Sequence, residues 1–243
     1  FIMHIRLLNP NTSAHMTESM LQSIKPYAAF GTTLSAVTAA QGPVSIESHF
    51  DEAVSVIGVC DEIVRGSSEQ VDAYVLACFG DPGIWAAREL TDAPVVGIAQ
   101  AAFSAAALLS TRFAVVTSMQ RTVIMAHHLL AQYGMASLCC HVGAVDLPVL
   151  DLDGDAATQA IIRHALLARE EYGAGAIVLG CGGMSHVRAE IEAAVGIPVV
   201  DGVAAALKLA EMLVALGLKT GKHGDLAYPL PKAFTGGMSR FGI

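Results

Sequence analysis

At 243 residues the chain is long enough to bury a sizeable core, as one large domain or two small ones. A net charge of −8, with only 14 basic residues and those scattered, speaks against nucleic acid or an anionic membrane surface as a partner. The hydrophobic fraction of 53% raises the question of a membrane span, but in the most apolar stretch, 93–110, Pro94, Gly97, Gln100 and Ser104 break the run into a short buried strand and an Ala-rich core helix.

The elements expected in chain order alternate between strand and helix. The opening apolar run, interrupted by His4 and Arg6, is a strand over 4–8 rather than a secretory signal. The polar turn Asn9-Pro10-Asn11-Thr12-Ser13 leads into a helix over 13–25. Strands then follow over 33–37, 73–78, 95–98, 113–117, 138–144, 176–181 and 199–201, with helices over 51–65, 82–90, 100–109, 120–133, 155–172, 186–194 and 203–216. Short apolar strands separated by helices of this length predict parallel α/β sheets covered on both faces.

One motif occurs twice. Ala73-Tyr74-Val75-Leu76-Ala77-Cys78-Phe79-Gly80 is echoed by Ala176-Ile177-Val178-Leu179-Gly180-Cys181-Gly182-Gly183, and each copy leads through a helix into a β-branched run, after Pro94 in the first and Pro198 in the second. The cysteines are 103 residues apart and the prolines 104, so the repeat is a whole folded unit. The fold expected is therefore two pseudo-symmetric parallel-sheet α/β lobes facing each other across a cleft. The first lobe spans 1–97 plus 208–243 and carries Cys78; the second spans 98–207 and carries Cys181.

Ligands of open parallel sheets bind outside the carboxyl ends of the strands, where Asn11, Cys78, Thr117 and Cys181 all fall. A lone cysteine at a buried strand end is ordinarily a small core hydrophobe. Two at equivalent ends, each followed by glycines that let backbone approach a ligand, describe opposed proton-transfer groups instead. The five cysteines are odd in number and lack disulfide-scaffold spacing, which suits free thiols in a reducing cytoplasm. Competing motifs fail: 217–223 is one spacer short of a phosphate loop, and His127-His128 and Cys139-Cys140 lack zinc-site spacing.

These residues carry a family resemblance. Asn9-Pro10-Asn11-Thr12-Ser13, Ala77-Cys78-Phe79-Gly80-Asp81-Pro82-Gly83 and Leu179-Gly180-Cys181-Gly182-Gly183-Met184 resemble the Asp/Glu/hydantoin racemase family, and within it the hydantoin and allantoin racemases. The likeness extends to Gly42-Pro43-Val44-Ser45-Ile46-Glu47 and Lys222-His223-Gly224-Asp225-Leu226-Ala227. It implies racemisation without cofactor or metal, by Cys78 and Cys181 on opposite faces of a small-molecule substrate. Amino-acid racemases of the family follow their cysteines with Asn-Thr or Thr-Glu; Phe79-Gly80 and Gly182-Gly183 stand here instead, which suits a neutral flat ring. The activity expected is racemisation of allantoin or 5-monosubstituted hydantoins at C5. The alternatives are an amino-acid racemase, a single-cysteine lyase or decarboxylase, and a two-lobed solute-binding module.

Asn11, Thr117 and Ser118 are expected to bond ring amides, Ile46 and Phe79 to line the pocket for the C5 substituent, and the amides of Gly80, Asp81, Gly182 and Gly183 to hold the enolate oxygen. The apolar surplus is compatible with buried subunit contacts, and a homo-oligomer is expected.

Overall fold

Why the chain divides into two similar halves is visible in its strand pairing. The computed structural model describes residues 2–242; Phe1 and Ile243, the outer limits assigned to the first lobe, lie outside the described residues. The first half contains β1 (Met3–Asn9), α1 (Ala14–Ile24), β2 (Thr32–Thr38), α2 (His49–Gly66), β3 (Ala73–Leu76), α3 (Ile84–Leu90) and β4 (Val95–Gly97). After α4 (Ile98–Leu109) the second half repeats the pattern with β5 (Phe113–Thr117), α5 (Gln120–Gln132), β6 (Cys139–Ala144), α6 (Asp155–Tyr172), β7 (Ala176–Leu179), α7 (Arg188–Val195) and β8 (Val199–Asp201), and closes with α8 (Gly202–Ala215).

The sheets are ordered β2-β1-β3-β4 and β6-β5-β7-β8, parallel throughout. Leu7 is in register with Ala36 and Val75, just as Val115 is with Val142 and Val178. Each central strand is buried on both faces, as its near-continuous apolar sequence requires.

The first two helices start where a side chain can take an orphan N–H. Ser13 accepts from the Met16 amide ahead of α1, and Ser48 accepts from the Asp51 amide ahead of α2. The two helices between the halves exchange sheets. α4 leaves the first sheet but buries Ala99, Ala102, Phe103 and Ala106 against Phe113, Val115, Ala176 and Val178 of the second. α8 leaves the second sheet and buries Val203, Ala206, Leu207 and Ala210 against Ile5, Leu7, Ala73 and Val75 of the first. They cross so closely that a Cβ on Gly202 would stand 2.4 Å from the Ile98 carbonyl oxygen, a contact only glycine permits. This exchange locks the strand ends of one lobe against those of the other. Among the described residues no helix is long and apolar enough to cross a membrane.

Two boundaries differ from expectation in a way that matters for the site. β3 and β7 end at Leu76 and Leu179, two residues before each cysteine. One further ladder bond is made, from the Ala77 amide to Leu8 O and from the Gly180 amide to Val116 O, and the chain then turns across the sheet edge. The helix expected over 186–194 is a 3₁₀ segment over Gly182–Val187 that continues as α7.

Candidate active site

Each cysteine opens a tight turn of the same design. The Asp81 amide donates to Cys78 O at 3.0 Å, and the Met184 amide donates to Cys181 O at 3.1 Å. The amide two residues on in each turn lowers the pKa of its thiol, Gly80 for Cys78 and Gly183 for Cys181. Each favours its thiolate.

Burial opposes them and wins. It pushes Cys181 up to about 11, with the Glu47 carboxylate adding to the rise. It pushes Cys78 well above its ordinary value, and the negative charges of Cys181, Glu52 and Asp81 add further. The mutual influence of the sulfurs places them in one electrostatic unit, so they titrate as a coupled pair.

Both cysteines line one cavity with Asn11, Ile46, Phe79, Gly80, Thr117, Ser118 and Gly182. The structure therefore brings together nine of the eleven residues singled out from sequence. Gly183 lies just outside, against the Cys181 sulfur, where a Cβ would sit 3.6 Å from Sγ. Asp81 is the exception in direction. Its backbone takes φ +45°, and its buried carboxylate accepts from the Ala99 and Gln100 amides at the start of α4, at 3.0 Å each, and from Tyr133 Oη at 2.8 Å. Burial lifts that carboxyl to about 6, against the three hydrogen bonds that pull it down. Asp201 does the same for α8, accepting from Val203 N and Ala204 N and from Ser185 Oγ. Each buried carboxylate fastens one exchanged helix.

The polar groups in the cleft differ in how free they are. Asn11 Oδ1 is committed to the Asn9 side chain and the Ser13 amide, whereas its Nδ2 faces only the Met16 thioether at 3.4 Å, a weak acceptor. Thr117 Oγ1 is engaged by Thr122 Oγ1 at 2.9 Å and Gly180 O at 3.3 Å. The Ser118 hydroxyl, in a buried residue, makes no hydrogen bond among the described residues and borders the cavity. Phe79 is wedged edge-on against Phe103, their centroids 5.4 Å apart, which ties the first cysteine turn to the core of the second lobe.

Sequence reading missed the apolar walls Met16, Met125 and Val149 and the clasp above them. The segment 43–48 arches over the cleft. Its near end is held by the Thr12 amide on Pro43 O at 3.0 Å, and Glu47 Oε1 reaches across to the Val149 amide at 2.8 Å. A glutamate in a polar loop gives no sign that it spans two lobes. The cavity itself is a slot of about 40 Å³, little more than one water's share of liquid, about 30 Å³. A larger cavity of about 420 Å³ against α4 and α8 holds neither cysteine. Nearby, Lys219 pairs with Asp92, and Lys222 donates to the Arg88, Glu89 and Leu226 carbonyls, so the phosphate-loop-like segment pins the C-terminal tail.

The family model described as Asp/Glu/Hydantoin racemase matches residues 5–210, with strands of both sheets and both cysteine turns included. The chain belongs to that family. It is an isomerase of the racemase class. A hydantoin racemase of Rhizobium meliloti is 45% identical over 236 residues, covering 96% of this chain and 98% of the relative. A hydantoin racemase of Pseudomonas sp. (strain NS671) is 42% identical over 242 residues, with 99% and 97% covered. The solved allantoin racemase from Klebsiella pneumoniae superposes with a TM-score of 0.96 at 48% identity, with 99% of each chain covered.

Proposed function

We propose that this racemase inverts C5 of 5-monosubstituted hydantoins, allantoin among them, by proton transfer between Cys78 and Cys181 without a cofactor. The observation that carries the reading is that equivalent turns of two facing lobes deliver both thiols to one slot. The similarity to hydantoin and allantoin racemases supports the choice of ring.

One sulfur enters as thiolate and takes the C5 proton, leaving an enolate with its charge largely on the ring oxygen. The other enters as thiol and delivers its proton to the opposite face. The sulfurs then hold each other's former state, ready for the opposite enantiomer. General acid–base catalysis of this kind supplies about 10²–10⁴-fold. Stabilisation of the enolate must supply more, at roughly 2.7–4 kcal/mol for each well-placed donor. The donors free for that task include the Ser118 hydroxyl, Asn11 Nδ2 and the Gly182 amide, which opens the 3₁₀ segment with no intrahelical acceptor. Five free thiols favour a reducing compartment such as the cytoplasm.

The test is loss of optical rotation from single-enantiomer allantoin and 5-isopropylhydantoin in D₂O, with C5 followed by proton NMR. Rotation that decays as deuterium enters C5 is expected; no change in either ring removes the proposal.

A further inference from the structure

A second cavity, of about 300 Å³, adjoins the cysteine slot and shares Gly80 and Met125 with it. Its polar lining includes His49, Glu52, His128 and Gln132. The other cavity bordering the slot, against Met16 and Val149, has room for about 30 Å³, one water's share.

Gly80 stands between slot and chamber and lines both. A Cβ built there would lie 3.8 Å from Cys78 Sγ and 3.3 Å from Glu52 Oε1. The point that glycine leaves open is in contact range of both atoms, which are therefore at most about 7 Å apart. A reacting carbon held about 3–3.5 Å from a sulfur has its substituent one bond further on, beside this opening.

Glu52 is poised for a donor. Its side chain is only 28% exposed, the His49 ring reaches it only at 3.9 Å through Nδ1, and no hydrogen bond to its carboxylate is made among the described residues. The His49 and His128 rings stack 5.9 Å apart beside it.

From this geometry we infer that the chamber beyond Gly80 receives the C5 substituent, and that the Glu52 carboxylate accepts N–H bonds from a ureido or similar amide-bearing arm. The inference rests on the hydantoin racemase reading and deepens it, by assigning the enzyme to hydantoins with a hydrogen-bond-donating arm. A ureido arm brings donors to a half-buried carboxylate that lacks them. An alkyl arm brings none and strips the carboxylate of water, an uncompensated loss. Sites built to bond a polar group reject analogues without it far more strongly than apolar pockets reject size differences.

The experiment measures kcat/KM for allantoin and for 5-isopropylhydantoin with the unaltered enzyme, Glu52→Gln and Glu52→Leu. The allantoin-to-isopropyl ratio is expected to fall about 10-fold or more in Glu52→Leu, with Glu52→Gln intermediate because its amide oxygen still accepts. If both substrates decline in parallel, Glu52 acts through the charge on Cys78 or through the fold, and the chamber assignment is overturned. An unchanged ratio overturns it too. Failure of the unaltered enzyme to racemise either ring would instead remove the function proposal, so the two failures are distinguishable.

Discussion

Raising the pH perturbs the two-thiol mechanism directly, because burial has moved both thiols away from neutrality. With Cys181 pushed up to about 11, about one site in a thousand is thiolate at pH 8, against about one in ten for a thiol left at 9.0. The competent state carries one thiolate and one thiol, and kcat/KM reports the free enzyme. That ratio therefore rises about tenfold per pH unit between about pH 7 and pH 10 and does not level off within that range. The falling limb belongs to the second thiol, which ionises against the charge of the first and so at higher pH still. Polarimetry on single-enantiomer substrate, with the uncatalysed rate subtracted at each pH, gives the profile. Alkylation of the two thiols by iodoacetamide reads the thiolate without substrate and should follow the same slope. A plateau reached by about pH 8 in both readouts would mean that the glycine amides outweigh burial, and the buried-thiol mechanism fails.

Three further outcomes follow from the geometry. Cys78→Ser and Cys181→Ser should each lose about 10²–10⁴-fold in racemisation while still washing deuterium into C5 of one enantiomer with retention, a different enantiomer for each variant; racemisation at the original rate by either removes the two-base mechanism. Glu47→Ala breaks the clasp on the Val149 amide and should raise KM about 2–10-fold, whereas Glu47→Gln keeps an acceptor there and should not; equal KM in all three forms means the clasp does not govern entry. Gly97→Ala would place a Cβ 2.3 Å from Asp81 Cγ, and displacing the carboxylate from α4 should cost about 1–3 kcal/mol in urea unfolding; a loss under about 0.5 kcal/mol contradicts that packing.

The repeat was legible because a glycine after each cysteine, and a proline 16 or 17 residues beyond that cysteine, answer local needs that survive in sequence: a turn across the sheet edge and the entry to a buried strand. The exchange of α4 and α8 was not. Ile98-Ala99-Gln100-Ala101-Ala102-Phe103 and Gly202-Val203-Ala204-Ala205-Ala206-Leu207 are apolar nearly all round, so neither helix has a face that declares which sheet it covers. Asp81 was picked for its backbone amide, which donates to Cys78 O within the turn; nothing local in the sequence says that its positive φ also carries the carboxylate to the start of α4. Glu47 and Glu52 read as ordinary carboxylates near a helix start, and only the closing of one lobe over the other gives them partners or neighbours in the cleft.

Those two glutamates also break the symmetry that the repeat builds. The turns around Cys78 and Cys181 match bond for bond, yet Glu52 and Asp81 raise the first thiol while Glu47 alone raises the second. The two thiols therefore sit in different fields, although the turns that carry them are alike. Such asymmetry cannot bias the overall reaction. Enantiomers have equal free energy in solution, so kcat/KM must be the same in both directions whatever the thiols do. It must appear instead in the separate values of kcat and KM and in how often a proton exchanges without inversion. The enantiomer whose C5 hydrogen faces Cys181 and the one whose C5 hydrogen faces Cys78 therefore meet bases in unlike surroundings. In D₂O the deuterium taken up per inversion should differ between the two enantiomers, and the Glu52→Gln variant, which removes one charge from the Cys78 side, should narrow the difference; equal uptake from both in the unaltered enzyme would mean that the glutamates do not distinguish the thiols.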